Sequence, residues 1–290
     1  MILNSQGFGH FVRNQNNQDF AFETSRMLLI LDGCSEAKYS EVGVRLFAQL
    51  FSRKEELDSV EKFESNVEEV FNEIIEMMKK YYPDPEEFEN EFIKKNLLFT
   101  IVACFDTDDK YIVKIFGDGY IIAQNMLNRL SYVKISYGAM PPYFAYRYCQ
   151  FLQSNAFKTH TFKTYEFDKK IFKAVAIASD GILPCVKREV ALDNYLLNKD
   201  LIGMKIEFRM KHDLFNDDAT VAFFKDDSKY IFNEVKKCDT GENLEEIEEA
   251  LFGKKILKTE ELPLKSVEKK NEKKEKNTTN TEKKEKIKWK

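Results

Sequence analysis

A chain of 290 residues, 43% of them hydrophobic, is long enough to bury a sizeable core as one large domain or two small ones. No apolar run approaches the ~18 residues that cross a bilayer, and the segment MILNSQGFGH has no charged-then-apolar signal pattern, so we expect a cytoplasmic protein without membrane insertion. The five cysteines are scattered without a CxxC spacing, which argues against a disulfide framework and a thiolate zinc site and predicts free thiols.

Charge divides the chain into a body and a tail. Residues 265–290 hold eleven lysines and five glutamates, a net charge of +6, so residues 1–264 carry −10 when the whole chain carries −4. With so few apolar residues, this Lys/Glu-rich tail is predicted to be disordered or loosely helical. Its interspersed glutamates weaken a nucleic-acid or membrane-surface role, so we expect a solvated tail and no nucleic-acid partner.

The first predicted elements are two strands followed by helices. Alternation in QDFAFE (18–23) and the apolar run RMLLIL (26–31) predict the strands. Periodic apolar residues predict helices over about 38–53 and about 60–82, and a short third helix completes a helical segment at 54–96. The apolar residues that define the two long faces are Val42, Leu46, Leu50 and Phe51, then Val67, Val70, Phe71, Ile74, Ile75 and Met78.

After this segment, β-branched and aromatic runs replace the helical period and predict antiparallel strands. These strands lie in LLFTIVACF (97–105), YIVKIFG (111–117), YIIAQN (120–125), RLSYVKIS (129–136), THTFKTYEF (159–167), FKAVAIAS (172–179) and ATVAFF (219–224). Further amphipathic helices are predicted at 187–197, 228–237 and 242–252. Strands and helices in separate blocks favour an α+β fold in which a strand sandwich is flanked by helices.

Aspartates stand at the ends of several predicted strands: Asp32 after LLIL, Asp118 after VKIFG, Asp180 after VAIAS, and Asp217 with Asp218 before ATVAFF. One Asp-Gly pair after a strand usually forms only a turn. If these strand ends share one edge, four or five carboxylates converge there, and they raise one another's pKa unless cations bind. Hard divalent ions with oxygen ligands, Mg²⁺ or Mn²⁺, are therefore expected, and zinc is not.

The order of these motifs is similar to that of a known family. A glycine-x-x-His segment, NNQDF, LLILDG, IFGDGYI, AIASDGIL and NDDATVAFF follow one another between about Gly7 and Phe224. This set resembles the metal-dependent serine/threonine phosphatases of the protein phosphatase 2C family, in particular its divergent bacterial-type branch. The resemblance implies a four-layer α-β-β-α sandwich, two mostly antiparallel sheets flanked by helices, within a phosphatase-like catalytic domain at 1–264.

The resemblance also implies roles for individual residues. Asp32 matches the aspartate that bridges two metal ions, and Gly33 matches the glycine whose carbonyl is also a ligand. Asp180 and Asp217 match two further ligands of the first metal. Asp19 matches the second acid of a Glu-Asp pair near the second metal.

Two more positions complete the implied site. Asp118 matches an aspartate linked to a third, weaker metal, so the expected cofactors are two Mn²⁺ or Mg²⁺ ions with room for a third. Asp218 occupies a place usually held by asparagine. The catalytic residues that we expect are Asp19, Asp32 and His10, the last as a contact for phosphate.

Three positions depart from the family pattern. Gln18 stands where many members have glutamate, and Cys34 replaces a residue that can be a proton donor. Gln15 stands where some members have an arginine that grips phosphate, which leaves Arg13 or His10 as substitutes. The metal ligands are intact, but substrate affinity and rate depend on these changes.

The implied function is hydrolysis of phosphoserine and phosphothreonine esters by a water activated between two ions. The expected partners are a phosphorylated protein substrate and a cognate serine/threonine kinase. Two alternatives stay open: a catalytically weak or silent phosphatase-fold module with a regulatory or binding role, and an α+β scaffold whose aspartates merely end strands.

Overall fold

The structure of the chain, a computed structural model, describes residues 2–127, 130–137, 141–151, 158–182 and 217–224. The strands are β1 (Ile2–Ser5), β2 (Phe20–Glu23), β3 (Met27–Gly33), β4 (Phe99–Asp106), β5 (Lys110–Phe116), β6 (Gly119–Asn125), β7 (Leu130–Ile135), β8 (Lys163–Asp168), β9 (Phe172–Ala178) and β10 (Ala219–Phe223). The helices are α1 (Phe8–Val12), α2 (Ser40–Phe51), α3 (Phe63–Lys79), α4 (Pro85–Glu87) and α5 (Lys94–Asn96), with a π-helical turn at Phe88–Ile93 and 3₁₀ turns at Phe144–Tyr148 and Asp180–Ile182.

These strands form two five-stranded sheets in which all neighbouring strands are antiparallel. The first sheet has the order β1-β10-β9-β6-β7, and the second has the order β2-β3-β4-β5-β8. The predicted antiparallel strands pair as β4-β5 and β6-β7, but β5 and β6 belong to different sheets. The chain therefore crosses between the sheets at Gly117 and Asp118, which brings Asp118 to an edge that both sheets share.

Strand β3 is buried on both faces, which explains its uninterrupted apolar sequence. Leu28 and Ile30 lie in the core between the two sheets, whereas Leu29 and Leu31 face the helices. Side chains alternate between the two faces of a strand. Asp32 therefore continues the face that points between the sheets, at the end of the strand.

Phenylalanines fill the space between α2, α3 and the second sheet. Phe47 of α2 lies 5.2 Å from Phe71 of α3 and 5.4 Å from Phe99 of β4, measured between ring centroids. Phe51 and Phe63 meet edge to face at 5.7 Å. Such pairs contribute about 0.5–1.5 kcal/mol beyond their buried area. We call these five residues the aromatic layer, because they attach the helices to the sheet.

Both long helices form where the sequence predicts them, but the face predicted for α2 is partly wrong. Val42 is 52% exposed, whereas Gly43 and Val44 are buried. A Cβ atom on Gly43 would lie 1.8 Å from the carbonyl oxygen of Asn96, so α2 turns this glycine toward α5 and Val42 toward solvent. In α3 the predicted face is buried, apart from the partly buried Met78.

The third predicted helix consists of α4, the π-helical turn and α5 in succession. Asp84 caps its start by accepting the backbone N–H two residues further on, at 2.8 Å. The carboxylate of the buried Glu89 forms an ion pair with the ammonium of Lys94 at 2.8 Å. It also accepts a hydrogen bond from the backbone N–H of Phe151 at 2.9 Å. This buried carboxylate ties the helical segment 54–96 to the turn that follows β7.

Several predictions lie outside the described residues: the boundary at 264, the tail at 265–290, and the helices at 187–197, 228–237 and 242–252. The division into domains therefore stays a prediction. Cys34, Cys104 and Cys149, the cysteines that the structure describes, are free thiols. Among the described residues, none of the helices has the length and apolar character needed to cross a membrane.

Candidate metal centre

Five aspartates predicted as metal ligands meet at one edge of the sandwich, and we call them the acidic edge: Asp19, Asp32, Asp118, Asp180 and Asp217. Asp32 is partly accessible to solvent, but protein surrounds most of its carboxyl group. Burial raises the pKa of Asp32 well above its usual range, and the charges of the other four aspartates raise it further. The carboxylates are therefore close enough for the charges of the other four to act on Asp32.

Asp19 is the most enclosed member of the acidic edge. The Ser179 hydroxyl donates to Asp19 Oδ2 at 2.8 Å, and Ser179 itself accepts the N–H of Thr220 at 2.9 Å. Asp19 Oδ1 is also buried, and no donor among the described residues reaches it. Burial raises the pKa of Asp19 to about 7, although hydrogen bonds from Thr220 and Ser179 oppose the shift. An enclosed carboxylate oxygen without a donor fits a metal ligand.

Asp180 and Asp118 lie at the same end of the first sheet, one in the turn after β9 and the other before β6. Burial raises the pKa of Asp180 to about 6, and the charges of Asp118 and Asp217 contribute to this shift. Burial also raises the pKa of Asp118. The ammonium of Lys134 on β7 opposes both shifts, so one fixed cation partly balances this pair.

Two glycines allow parts of the site to approach closely. A Cβ atom on Gly181 would lie 1.8 Å from the carbonyl oxygen of Asp218. A Cβ atom on Gly33 would lie 2.7 Å from Ser40 Oγ and 2.9 Å from the carbonyl oxygen of Gln18. Only glycine fits at these positions without displacing backbone. Gly33, whose carbonyl is a predicted ligand, thus ends β3 directly against the segment that carries Asp19.

Asp218 organises the segment between β1 and β2. Only 2% of the residue is exposed. Its Oδ1 accepts the N–H of Gly7 at 2.6 Å, and its Oδ2 accepts the N–H of Gln18 at 2.6 Å and contacts His10 Nδ1 at 2.8 Å. A carboxylate with three donors from one segment holds that segment in place. The sequence placed Asp218 among the converging aspartates and at a position usually held by asparagine, but it did not predict this clamp.

His10, a predicted catalytic residue, lies in α1 with 4% of its surface exposed. Its Nε2 is 3.7 Å from Oδ1 of Asp217, an oxygen that also accepts the N–H of Asp218 at 2.9 Å. The hydrogen bond to Asp218 raises the pKa of His10, and the charge of Asp217 adds to the effect. Arg13, the other candidate for a phosphate contact, is exposed at the end of α1.

Two departures from the family pattern are engaged in local contacts. Gln18 Nε2 donates to the carbonyl of Ala37 at 3.4 Å, while its Oε1 is buried without a donor from the described residues. The N–H of Cys34 donates to the carbonyl of Leu98 at 2.9 Å. The thiol of Cys34 contacts the hydroxyl of Tyr143, whose pKa is raised chiefly by burial.

The sequence did not single out three hydroxyl residues that support the carboxylates. Ser179 and Thr220 form hydrogen bonds with Asp19, and Ser35 Oγ lies 3.2 Å from an oxygen of Asp217. Each of the three lies within two residues of a member of the predicted motifs, and this adjacency is the signal that could have identified them. It is weak, because hydroxyl residues are common beside aspartates in turns.

Comparisons with known proteins agree with this architecture. A family model described as Protein phosphatase 2C matches residues 6–225. A bacterial serine phosphatase aligns at 15% identity over 77% of this chain and 95% of that chain, with a TM-score of 0.50, which shows the predicted two-sheet fold. The Mycobacterium tuberculosis serine/threonine phosphatase PstP aligns at 15% identity over 77% of this chain and 96% of that chain, with a TM-score of 0.49. A search of curated proteins found none that matches the sequence.

Proposed function

The chain, matched over residues 6–225, belongs to the protein phosphatase 2C family, and we propose that it hydrolyses phosphoserine and phosphothreonine esters of proteins with the help of divalent cations. The observation that carries the proposal is the acidic edge. Four of its five carboxylates are largely surrounded by protein, and Asp217 is half exposed. Burial and the charges of neighbouring aspartates raise the pKa of Asp32, Asp180 and Asp19. Such an arrangement is unfavourable in the protein alone and favourable with cations.

The donor set fits Mn²⁺ or Mg²⁺. All of the assigned ligand atoms are oxygens, which hard cations prefer, and the buried Oδ1 of Asp19 has no donor among the described residues. We assign two ions, with room for a third beside Asp118. The residues assigned to hold them are Asp19, Asp32, Gly33, Asp118, Asp180 and Asp217.

The chain's own residues bind and orient the reactants. Asp32 keeps partial access to solvent, so its carboxylate can hold ions and also orient a water that arrives from outside. The hydrogen bond from Ser179 holds Oδ2 of Asp19 in place, which leaves Oδ1 free to bind an ion. Divalent ions bound here would supply Lewis acidity, lowering the pKa of water and neutralising the charge of the phosphate. No protein nucleophile is required.

The test is Mn²⁺-dependent hydrolysis of an aryl phosphate and of a phosphoserine peptide. Asp32→Ala and Asp180→Ala should each reduce the rate roughly 100-fold or more, because each removes an assigned ligand. Asp108→Ala is the matched control, since Asp108 lies in the β4-β5 hairpin beside Arg26, at the opposite end of β4. If the manganese-loaded protein hydrolyses neither substrate, the proposal is wrong.

A catalytically silent member of the family, with a regulatory or binding role, is the second candidate. It is favoured by the positions of Gln18 and Cys34, which replace residues with chemical functions and are engaged in local contacts. Calorimetry would show Mn²⁺ binding without turnover of phosphopeptides in that case. A serine/threonine kinase that produces the phosphoester is the expected counterpart under either alternative.

A further inference from the structure

We propose that His10 Nε2 is a direct nitrogen ligand of the ion that Asp217 holds, and that Asp218 is the carboxylate that orients this imidazole. The inference rests on the metal centre of the proposed function. It adds a ligand that the carboxylate motifs do not include, and it assigns Asp218 a positioning role outside the ligand set.

The orientation of the imidazole follows from the hydrogen bonds of Asp218. Because the N–H groups of Gly7 and Gln18 hold both oxygens of this carboxylate, it has no freedom to turn away from His10. Oδ2 of Asp218 lies 2.8 Å from Nδ1 of His10, so Nδ1 carries a proton. In the neutral ring the lone pair is then on Nε2. A carboxylate on one ring nitrogen and a metal on the other is the usual arrangement for histidine ligands.

The distance between His10 Nε2 and Asp217 also fits a shared ion. At 3.7 Å, Nε2 and Asp217 Oδ1 are too far apart for a normal hydrogen bond. Metal–ligand bonds of about 2.1 Å place two ligand atoms of one ion roughly 3–4 Å apart. Ligand atoms of His10, Asp217 and Asp218 lie within 4.8 Å of one another. The gap between Nε2 and Oδ1 therefore matches the space that an ion occupies.

Two buried polar atoms point independently to a ligand in this space. His10 is almost wholly enclosed, and its Nε2 forms no hydrogen bond with the residues that the structure describes. Asp19 Oδ1 is enclosed and likewise has no donor there. Asp19 lies near enough for its charge to act on His10, so both atoms belong to the same edge of the sandwich. Ions held at this edge would satisfy polar atoms that would otherwise be buried without partners.

A nitrogen ligand changes which metal the site selects. Mn²⁺ and Mg²⁺ both prefer oxygen ligands, but Mn²⁺ accepts an imidazole nitrogen more readily than Mg²⁺, which keeps an octahedral oxygen shell with several waters. With His10 in the shell, the site should favour Mn²⁺ over Mg²⁺ more than the carboxylates alone would. The competing arrangement is a doubly protonated imidazole that bridges Asp217 and Asp218 and never touches the ion.

Electron spin-echo envelope modulation on the untagged, Mn²⁺-loaded full chain distinguishes these arrangements, because it detects nitrogen bound to manganese. We expect nitrogen modulation in the wild type and in His160→Gln, and its loss in His10→Gln. His160 is the matched control because it lies beside Tyr137 and Arg147, outside the acidic edge. Calorimetry should show Mn²⁺ affinity reduced roughly tenfold or more in His10→Gln, with Mg²⁺ affinity nearly unchanged.

The outcomes separate this inference from the proposed function. Nitrogen modulation that depends on His10 supports the ligand assignment. A wild-type protein that binds Mn²⁺ and hydrolyses phosphoesters without nitrogen modulation overturns it and leaves the phosphatase proposal intact, as does modulation that persists in His10→Gln. A wild-type protein that binds no Mn²⁺ overturns both. If His10→Gln does not fold, the absence of nitrogen modulation from the wild-type spectrum still overturns the assignment.

Discussion

The aromatic layer and the acidic edge both include residues of β3 or the strands paired with it, yet burial acts in opposite directions in the two regions. In the aromatic layer, rings such as Phe71 and Phe99 lose contact with water and stack at 5.5 Å, which stabilises the fold. At the acidic edge, enclosure removes water from Asp32 and Asp180 and raises the pKa of each. Enclosure by protein therefore stabilises a ring and destabilises a charge.

This contrast follows from the alternation of side chains between the two faces of β3. Leu29 and Leu31 point toward the helices that carry the aromatic layer, whereas Leu28 and Ile30 point between the sheets and lead to Asp32. The apolar part of the strand fixes the position of the carboxylate at its end. The packed region therefore supplies the stability that lets like charges be held together.

The largest effect should come from truncating the aromatic layer. Phe71 is fully buried and contacts Phe47, Phe99 and Phe144, so Phe71→Ala should lower the free energy of unfolding by about 3–5 kcal/mol in urea titrations. The matched control is Ile171→Ala, at an exposed apolar position, where we expect a change within about 0.5 kcal/mol. Equal losses at both positions would contradict the assignment of stability to this layer.

The acidic edge should make the metal-free protein less stable as pH rises. Asp180 and Asp19 have folded-state pKa values of about 6 and about 7, above the unfolded value of about 3.9, so the folded state binds more protons between about pH 4 and 7. Stability should fall across that interval by a few kcal/mol, and the raised pKa of His10 acts in the same direction.

Urea titrations in a chelator at several pH values measure this dependence. Saturating Mn²⁺ should reverse its sign, because ions bind deprotonated carboxylates and compete with protons. A metal-free protein that becomes steadily more stable from pH 4 to 7 would show that the carboxylates do not repel one another as the structure indicates.

Removing one charge should relieve the same repulsion. Asp32→Asn keeps the shape of the side chain, so the metal-free variant should be more stable than the wild type at neutral pH by on the order of 2 kcal/mol. The stabilisation that Mn²⁺ gives to the wild type should be lost, which thermal unfolding with and without metal would measure. Asp108→Asn, in the exposed hairpin, should change neither quantity. A less stable metal-free Asp32→Asn protein would argue against a strained acidic edge.

Local pattern predicts most of the fold because most elements are defined by their own residues. The alternation and apolar run of β3 and the periodicity of α3 are local, and both elements form where the sequence indicates. Strand β1 and helix α1 were not predicted from the sequence. Leu3 of β1 pairs with Val221, so the strand depends on a partner from the other end of the described chain rather than on its own four residues.

The candidate site was predictable to the extent that it consists of motifs. The aspartates after strands are visible in the sequence, and the order of those motifs resembles a known family. The clamp that Asp218 forms on Gly7, His10 and Gln18 is not visible, because its hydrogen bonds join residues that are about 200 positions apart. Hydrogen-bond partners across such distances leave no local signal.

The smallest expected effect comes from a substitution in α2. It tests whether the buried face of this helix is the one that the sequence pattern predicts or the one that the packing shows. The pattern places Val42 on the buried face, but Gly43 must lie against Asn96, and this turns Val44 inward instead. Val42→Ser should therefore change the free energy of unfolding by no more than about 0.5 kcal/mol. Val44→Ser, two residues further on in the same helix, should lower it by about 2 kcal/mol or more. Because Val44 packs in the same core as Phe47, the reverse order of effects would mean that α2 presents a different face to the aromatic layer.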